Sequence, residues 1–158
     1  MRPVLFLDVD GTLLPYGRGT SDQADDLQHL LQPQLAKLDM RHGPRLIALA
    51  CELVWATAWM DDANEVIAPL LGLPHLPVAD LPDVPEEDQT GLLHWKTRAL
   101  VEAAAGRPFA WVDDEITELD RDWISAHHSA PVLLHRVDPT TGLTEADFVL
   151  IEHWLLSL

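Results

Sequence analysis

The chain has 158 residues, 47% of them hydrophobic, and sets ten basic against 26 acidic side chains for a net charge of −16. That length suits one domain, 1–158, with one core, and that apolar fraction excludes a disordered chain. The charge opposes nonspecific binding to nucleic acid or to an anionic membrane.

Val4–Leu7 is an apolar run that reads as a buried strand. It ends in Asp8 and Asp10, spaced i and i+2, with Gly11 directly after. Two acids this close repel unless a cation or a shared proton intervenes. A divalent metal held by hard oxygen ligands resolves that repulsion. The competing reading is a polar turn, since Asp and Gly are ordinary turn residues. Residues 23–41 read as largely helical with a break at Pro33. Residues 53–56 read as a second strand ending in Thr57, and 62–71 as a helix that kinks or ends early at Pro69. Residues 76–78 read as a short strand.

Pro82, Pro85, Glu86, Glu87 and Asp88 mark an acidic loop. Residues 92–105 read as a helix with Lys96 near its start, stopped by Gly106 and Pro108. Residues 109–112 read as a strand that runs into Asp113, Asp114 and Glu115. Ile116, Leu119, Trp123, Ile124 and His127 share a helical face. Residues 131–137 read as a strand. Thr144 is a plausible helix N-cap, with Asp147 three residues on. Strands alternating with helices imply a parallel sheet covered on both faces. Ligands of such sheets bind beyond the carboxyl ends of the strands. Asp8, Thr57 and Asp113 all follow strand ends, which is a physical argument for one shared site.

The order acid pair, hydroxyl, lysine, acid pair resembles the four motifs of the haloacid dehalogenase-like hydrolase superfamily. The segment Trp55-Ala56-Thr57-Ala58-Trp59, with Asp61, Asp62 and Asn64 following, is similar to small bacterial domains of this superfamily described with RNA-repair proteins. The resemblance implies a Rossmann-like α/β domain with a mainly parallel, five-stranded sheet. It implies a Mg²⁺-dependent phosphatase, in which Asp8 is the nucleophile that forms an aspartyl-phosphate and Asp10 is the general acid and base. The metal would be held by the Asp8 carboxylate, the Asp10 backbone carbonyl and Asp113, with Asp114 close by. Which of Asp113 and Asp114 touches metal directly stays open. Thr57, with the Ala58 N–H, would bind a phosphate oxygen, and Lys96 would balance charge on phosphate and Asp8. Taken alone, Lys96 reads as an exposed helical lysine, the more common fate of a lysine, tempered by its being the sole lysine after Lys37.

The gaps between motifs leave no room for a cap domain, so the site should be open, under a short flap at residues 15–21. Arg18 at its tip either meets an anionic substrate or is solvated. Open sites suit a large phosphorylated substrate, and the two signals together point to a terminal phosphate or a nucleotide-sized molecule. A homodimer in which a second subunit supplies the lid is an alternative. So are a phosphotransferase and a non-catalytic phosphate-binding or interaction domain. Trp55 and Trp111 read as core. Trp59 and Trp95 lie near site residues and either stack on a substrate ring or wedge helices against the sheet. The eight histidines lack metal-ligand spacing, and Glu115 reads as part of an acidic first helical turn. No apolar run is long enough to span a membrane, and no signal peptide precedes the first strand. The lone Cys51 rules out an internal disulfide and suits a reducing cytoplasm, as a small buried apolar residue.

Overall fold

Apolar runs of four or five residues recur along the chain, and four of them pair into one parallel sheet. β1 is Val4–Leu7, β2 is Glu52–Trp55, β3 is Phe109–Asp113 and β4 is Val132–Arg136. Their order is β2-β1-β3-β4. The computed structural model describes residues 1–17, 33–87 and 91–158. Arg18, most of the flap, Asp88 and the first part of the expected helix at 23–41 lie outside the described residues.

The period-two alternation of β1 divides the core. Leu5 and Leu7 face one side, with Trp55, Val112, Phe148 and Ile151. Val4 and Phe6 face the other, with Leu100, Phe109, Trp111 and Ile124. The first side is covered by α1 (His42–Ile47), α2 (Ala68–Leu71) and α5 (Glu145–Leu156). The second is covered by α3 (Thr97–Ala104) and α4 (Glu118–His127). Helices on both faces and a parallel sheet agree with the sequence.

Among the described residues the sheet has four strands, not five. Residues 76–78 make a single bridge, Val78 to Trp55, and no more. Pro77 has no N–H to give to a ladder, and Pro74 precedes the segment. Asn64 holds this segment instead. Its side chain accepts from Leu76 N–H at 2.9 Å and donates to Leu76 C=O at 2.8 Å, while Trp55 Nε1 donates to it at 2.9 Å.

Other boundaries also moved. Pro33–Lys37 is a 3-10 helix. α1 was not foreseen, because its sequence carries Gly43 and Pro44. Pro44 sits in the first turn, where its missing N–H costs nothing, and a Cβ on Gly43 would strike the Leu71 carbonyl. Before Pro69 the helix widens into a π turn, Ala63–Ile67, and it ends at Gly72 with φ +69°. α3 starts only at Thr97, because side chains take the backbone N–H groups of the preceding turn. Asp120 accepts from His94 N–H at 2.8 Å, and His94 Nδ1 accepts from Lys96 N–H at 3.1 Å. Thr144 does cap α5, with the Asp147 carboxylate accepting from its N–H at 2.7 Å and its hydroxyl at 2.9 Å. Among the described residues no helix is long and apolar enough to cross a membrane.

Candidate active site

β1 and β3 are neighbours in register, so Leu7 lies beside Val112 and the two acid pairs leave the sheet side by side. Asp8 is 5% exposed, Asp113 1% and Asp114 7%. One carboxylate oxygen from each can be chosen so that all three lie within 4.8 Å of one another. Three carboxylates in so small a buried volume need positive charge. Lys96 supplies part of it, with Nζ donating to Asp8 Oδ1 at 2.9 Å and to Asp113 Oδ2 at 2.7 Å. The ammonium is 3% exposed at the residue level, so the exposed-lysine reading is wrong. Burial alone would lower its pKa; Asp8 and Asp113 more than reverse this and keep it charged.

The remaining contacts fix each acid. Thr12 Oγ1 donates to Asp8 Oδ2 at 3.2 Å. Trp111 Nε1 donates to Asp113 Oδ2 at 3.2 Å, and Glu115 N–H to Asp113 Oδ1 at 3.0 Å. Burial, with Asp113 beside it, pushes Asp8 well above the usual carboxylate range despite Lys96. Burial, then Asp113 and Glu115, raise Asp114 to about 6. Gly11 takes φ +76° at the turn after Asp10, and a Cβ there would collide with the Asp114 carboxylate. Only glycine lets the first loop come this close to the second acid pair.

Asp10 is half-buried and turned toward the loop after β2. Trp59 Nε1 donates to its Oδ2 at 3.1 Å. Trp59 therefore orients Asp10, while its ring also packs on the core. Thr57 is fully buried, and its Oγ1 accepts from Trp59 N–H at 3.2 Å. Ala58, next to it, lines the cavity over the carboxylates. That cavity, about 210 Å³, gathers Asp8, Asp10, Ala58, Lys96, Asp113 and Asp114. Thr57 lies behind its wall, and Arg18 is outside the described residues.

Tyr16, Val84 and His94 line the cavity without having been read as site residues, and Glu115, read as part of a first helical turn, lies before α4 and lines it too. Tyr16 reaches the cavity because its N–H donates to Pro139 C=O at 2.7 Å. Burial and the nearby acids raise its hydroxyl to about 12. His94 closes a circuit. Its Nδ1 accepts from Lys96 N–H, so its proton is on Nε2, which faces Glu115 Oε2 at 3.2 Å. Glu115 N–H returns to Asp113, and Lys96 Nζ completes the ring. Asp120, fully buried, anchors the same turn through His94 N–H and Thr97 Oγ1, the latter at 2.9 Å. Acidic residues and a histidine two positions before a lysine carry no recognisable spacing, so only the fold reveals this circuit.

The donor set suits a divalent cation. Three ionised carboxylates and one ammonium leave two negative charges, which one such ion balances. All available ligands are hard oxygens, as Mg²⁺ prefers.

A family model described as the HAD domain in Swiss Army Knife RNA repair proteins matches residues 4–148. No curated protein matches the chain, and no solved structure does. The chain belongs to that family, and so to the haloacid dehalogenase-like hydrolases at the level of the superfamily.

Proposed function

We propose that the protein is a Mg²⁺-dependent phosphatase that hydrolyses a phosphomonoester through an aspartyl-phosphate on Asp8. The observation that supports this most is the buried Lys96 ammonium, clamped between Asp8 and Asp113 at the ends of two adjacent strands. It holds Asp8 in a fixed orientation and offers positive charge to an incoming phosphate.

In the first half-reaction an Asp8 oxygen bonds to phosphorus as the ester P–O bond breaks. Asp10 gives its proton to the departing oxygen. In the second, a water oxygen bonds to phosphorus and the Asp8–phosphorus bond breaks. Asp10 takes the water's proton, and inorganic phosphate and the free Asp8 carboxylate result. The Trp59 indole holds Asp10 in place for both transfers. Asp8, Asp113, Asp114 and the Asp10 carbonyl would hold Mg²⁺, whose role is to neutralise phosphate charge. Ala58 offers a backbone N–H to the phosphate, with Thr57 fixing the turn. The substrate is a phosphorylated molecule bearing a terminal phosphate or of nucleotide size. The family's RNA-repair setting is compatible with it, while the charge of −16 opposes long polyanions. A reducing, cytoplasmic setting suits Cys51, whose thiol burial pushes up to about 11.

Turnover of an aryl phosphate with Mg²⁺ tests the reading. Asp8→Asn should stay folded and lose at least a factor of about 10² in rate, the least that even a general acid–base group typically contributes. A folded, Mg²⁺-binding chain that turns over no phosphoester would sink it.

A further inference from the structure

Two hollows meet beside the carboxylates. The smaller lies over Asp8, Asp10 and Lys96. The larger, about 460 Å³, extends away from it, and the two share Val84, His94, Trp95, Asp114 and Glu115. A phosphoryl group seated against Asp8 therefore has room for its ester substituent in the larger cleft. The volume lies within the range of ~300–1,000 Å³ typical of small-molecule sites.

The lining defines what that substituent is. Val84, Pro85, Leu92 and Trp95 give an apolar wall. Leu92 is 57% exposed and Val84 53%, so large apolar side chains are left open around one cleft. Trp95 is held before any ligand arrives: its ring stacks on His94 at 5.8 Å and 24°, and Lys96 Nζ sits 5.5 Å from its centroid. A fixed indole is a platform for a flat ring. The charged lining is one-sided. Among the described lining residues, Glu87, Asp114 and Glu115 outnumber one cation, Arg136. Arg136 is tied down by Nε, which donates to Asp114 C=O at 3.2 Å. Acids repel a second phosphate and accept from amino or hydroxyl groups.

We propose that this cleft is the leaving-group subsite and that it takes a nucleoside bearing a single phosphate. The flat base lies against Trp95 and Leu92, and donors on the base or ribose face Glu115. Further phosphates are turned away by the acidic lining. The proposal rests on the phosphatase reading and names the substrate of that site.

The test compares kcat/KM of the full chain, with Mg²⁺, on a nucleoside 5′-monophosphate, on β-glycerophosphate and on a 5′-phosphorylated oligonucleotide. The mononucleotide should lead β-glycerophosphate by about tenfold, the order of one base stacked on an aromatic ring, and should lead the oligonucleotide because the acidic lining turns its further phosphates away. Trp95→Ala and the surface change Leu92→Asp should each lower the ratio of mononucleotide to β-glycerophosphate several-fold, mainly through KM. Equal rates on the two small esters, or equal losses on both in the variants, overturn the proposal. A preference for the oligonucleotide overturns it too, and assigns the cleft to a strand end. Silence on all three substrates contradicts the phosphatase reading instead. Equilibrium binding of the mononucleotide then decides the cleft: weaker binding in Trp95→Ala supports it, and unchanged binding refutes it.

Discussion

The loops leaving β1 and β3 differ from the loop leaving β2. The first two carry acids into a buried cluster, where Lys96 meets them from the turn before α3. The third carries no charge into that cluster. Its hydroxyl turns inward, and what it presents is Ala58 and the Trp59 indole. β1 and β3 are the central pair of the sheet, and β2 flanks them. Charge is thus concentrated where two neighbouring strands end together, and the flanking strand supplies orientation. The acids of the central loops are paired with a buried cation; the flanking loop brings no acid to that cluster.

Removing the counter-charge is the strongest way to break this contrast. Lys96→Met leaves three buried carboxylates without their cation. With metal chelated, stability should fall by about 3–5 kcal/mol, the usual cost of stripping one partner from a buried pair. Mg²⁺ should return part of it, because it binds only the folded cluster. Chemical denaturation with and without Mg²⁺ measures both. A variant as stable as the parent under chelation would show that the ion bridge holds nothing together.

Acidity probes the same cluster in the unaltered chain. Asp114 rises from its ordinary 3.8 to about 6 on folding, and Asp8 is raised as well. The folded state then binds more protons than the unfolded one between those values, so stability falls as pH rises through that window. With metal chelated, the melting temperature should be higher near pH 5 than near pH 7, once the slope from other groups is subtracted with an Asp114→Asn variant. Mg²⁺ should flatten the difference. A slope identical in Asp114→Asn would remove Asp114 from the account.

Two glycines separate close approach from backbone strain. Gly11 and Gly72 both have positive φ, but a Cβ on Gly72 meets open space, whereas one on Gly11 meets Asp114. Gly72→Ala should cost about 1–2 kcal/mol. Gly11→Ala should cost more and weaken Mg²⁺ binding, which Gly72→Ala should not. Titration calorimetry reads the difference. The flanking loop should give the smallest effect. Trp59→Phe removes one hydrogen bond to Asp10, worth about 0.5–1.5 kcal/mol. Its rate should fall less than that of Asp10→Asn. Equal losses would make the indole as important as the acid it orients.

Acids at the ends of apolar runs were legible because strand periodicity fixes where Asp8 and Asp113 leave the sheet. Lys96 was legible only by its order among the motifs; its burial depends on His94 and Asp120 taking the backbone N–H groups that a helix would have used. The roles of Tyr16, His94 and Glu115 arise from contacts between segments distant in the chain, which no spacing encodes. The missing fifth strand follows from Pro77, a local signal outweighed in the reading by the apolar residues around it. Thr57 was placed correctly at a strand end, but its side-chain direction was set by the turn to Trp59.

The central claim is that Asp8 carries the phosphoryl group. Turnover quenched in acid, followed by peptide mapping by mass spectrometry, tests it most directly. The account predicts one phosphoryl group on the peptide holding Asp8, absent in Asp8→Asn and, with an aryl phosphate whose leaving group needs no proton, accumulating further in Asp10→Asn, where water is poorly activated. Hydrolysis at full rate with no phosphorylated peptide in either the parent or Asp10→Asn would contradict it.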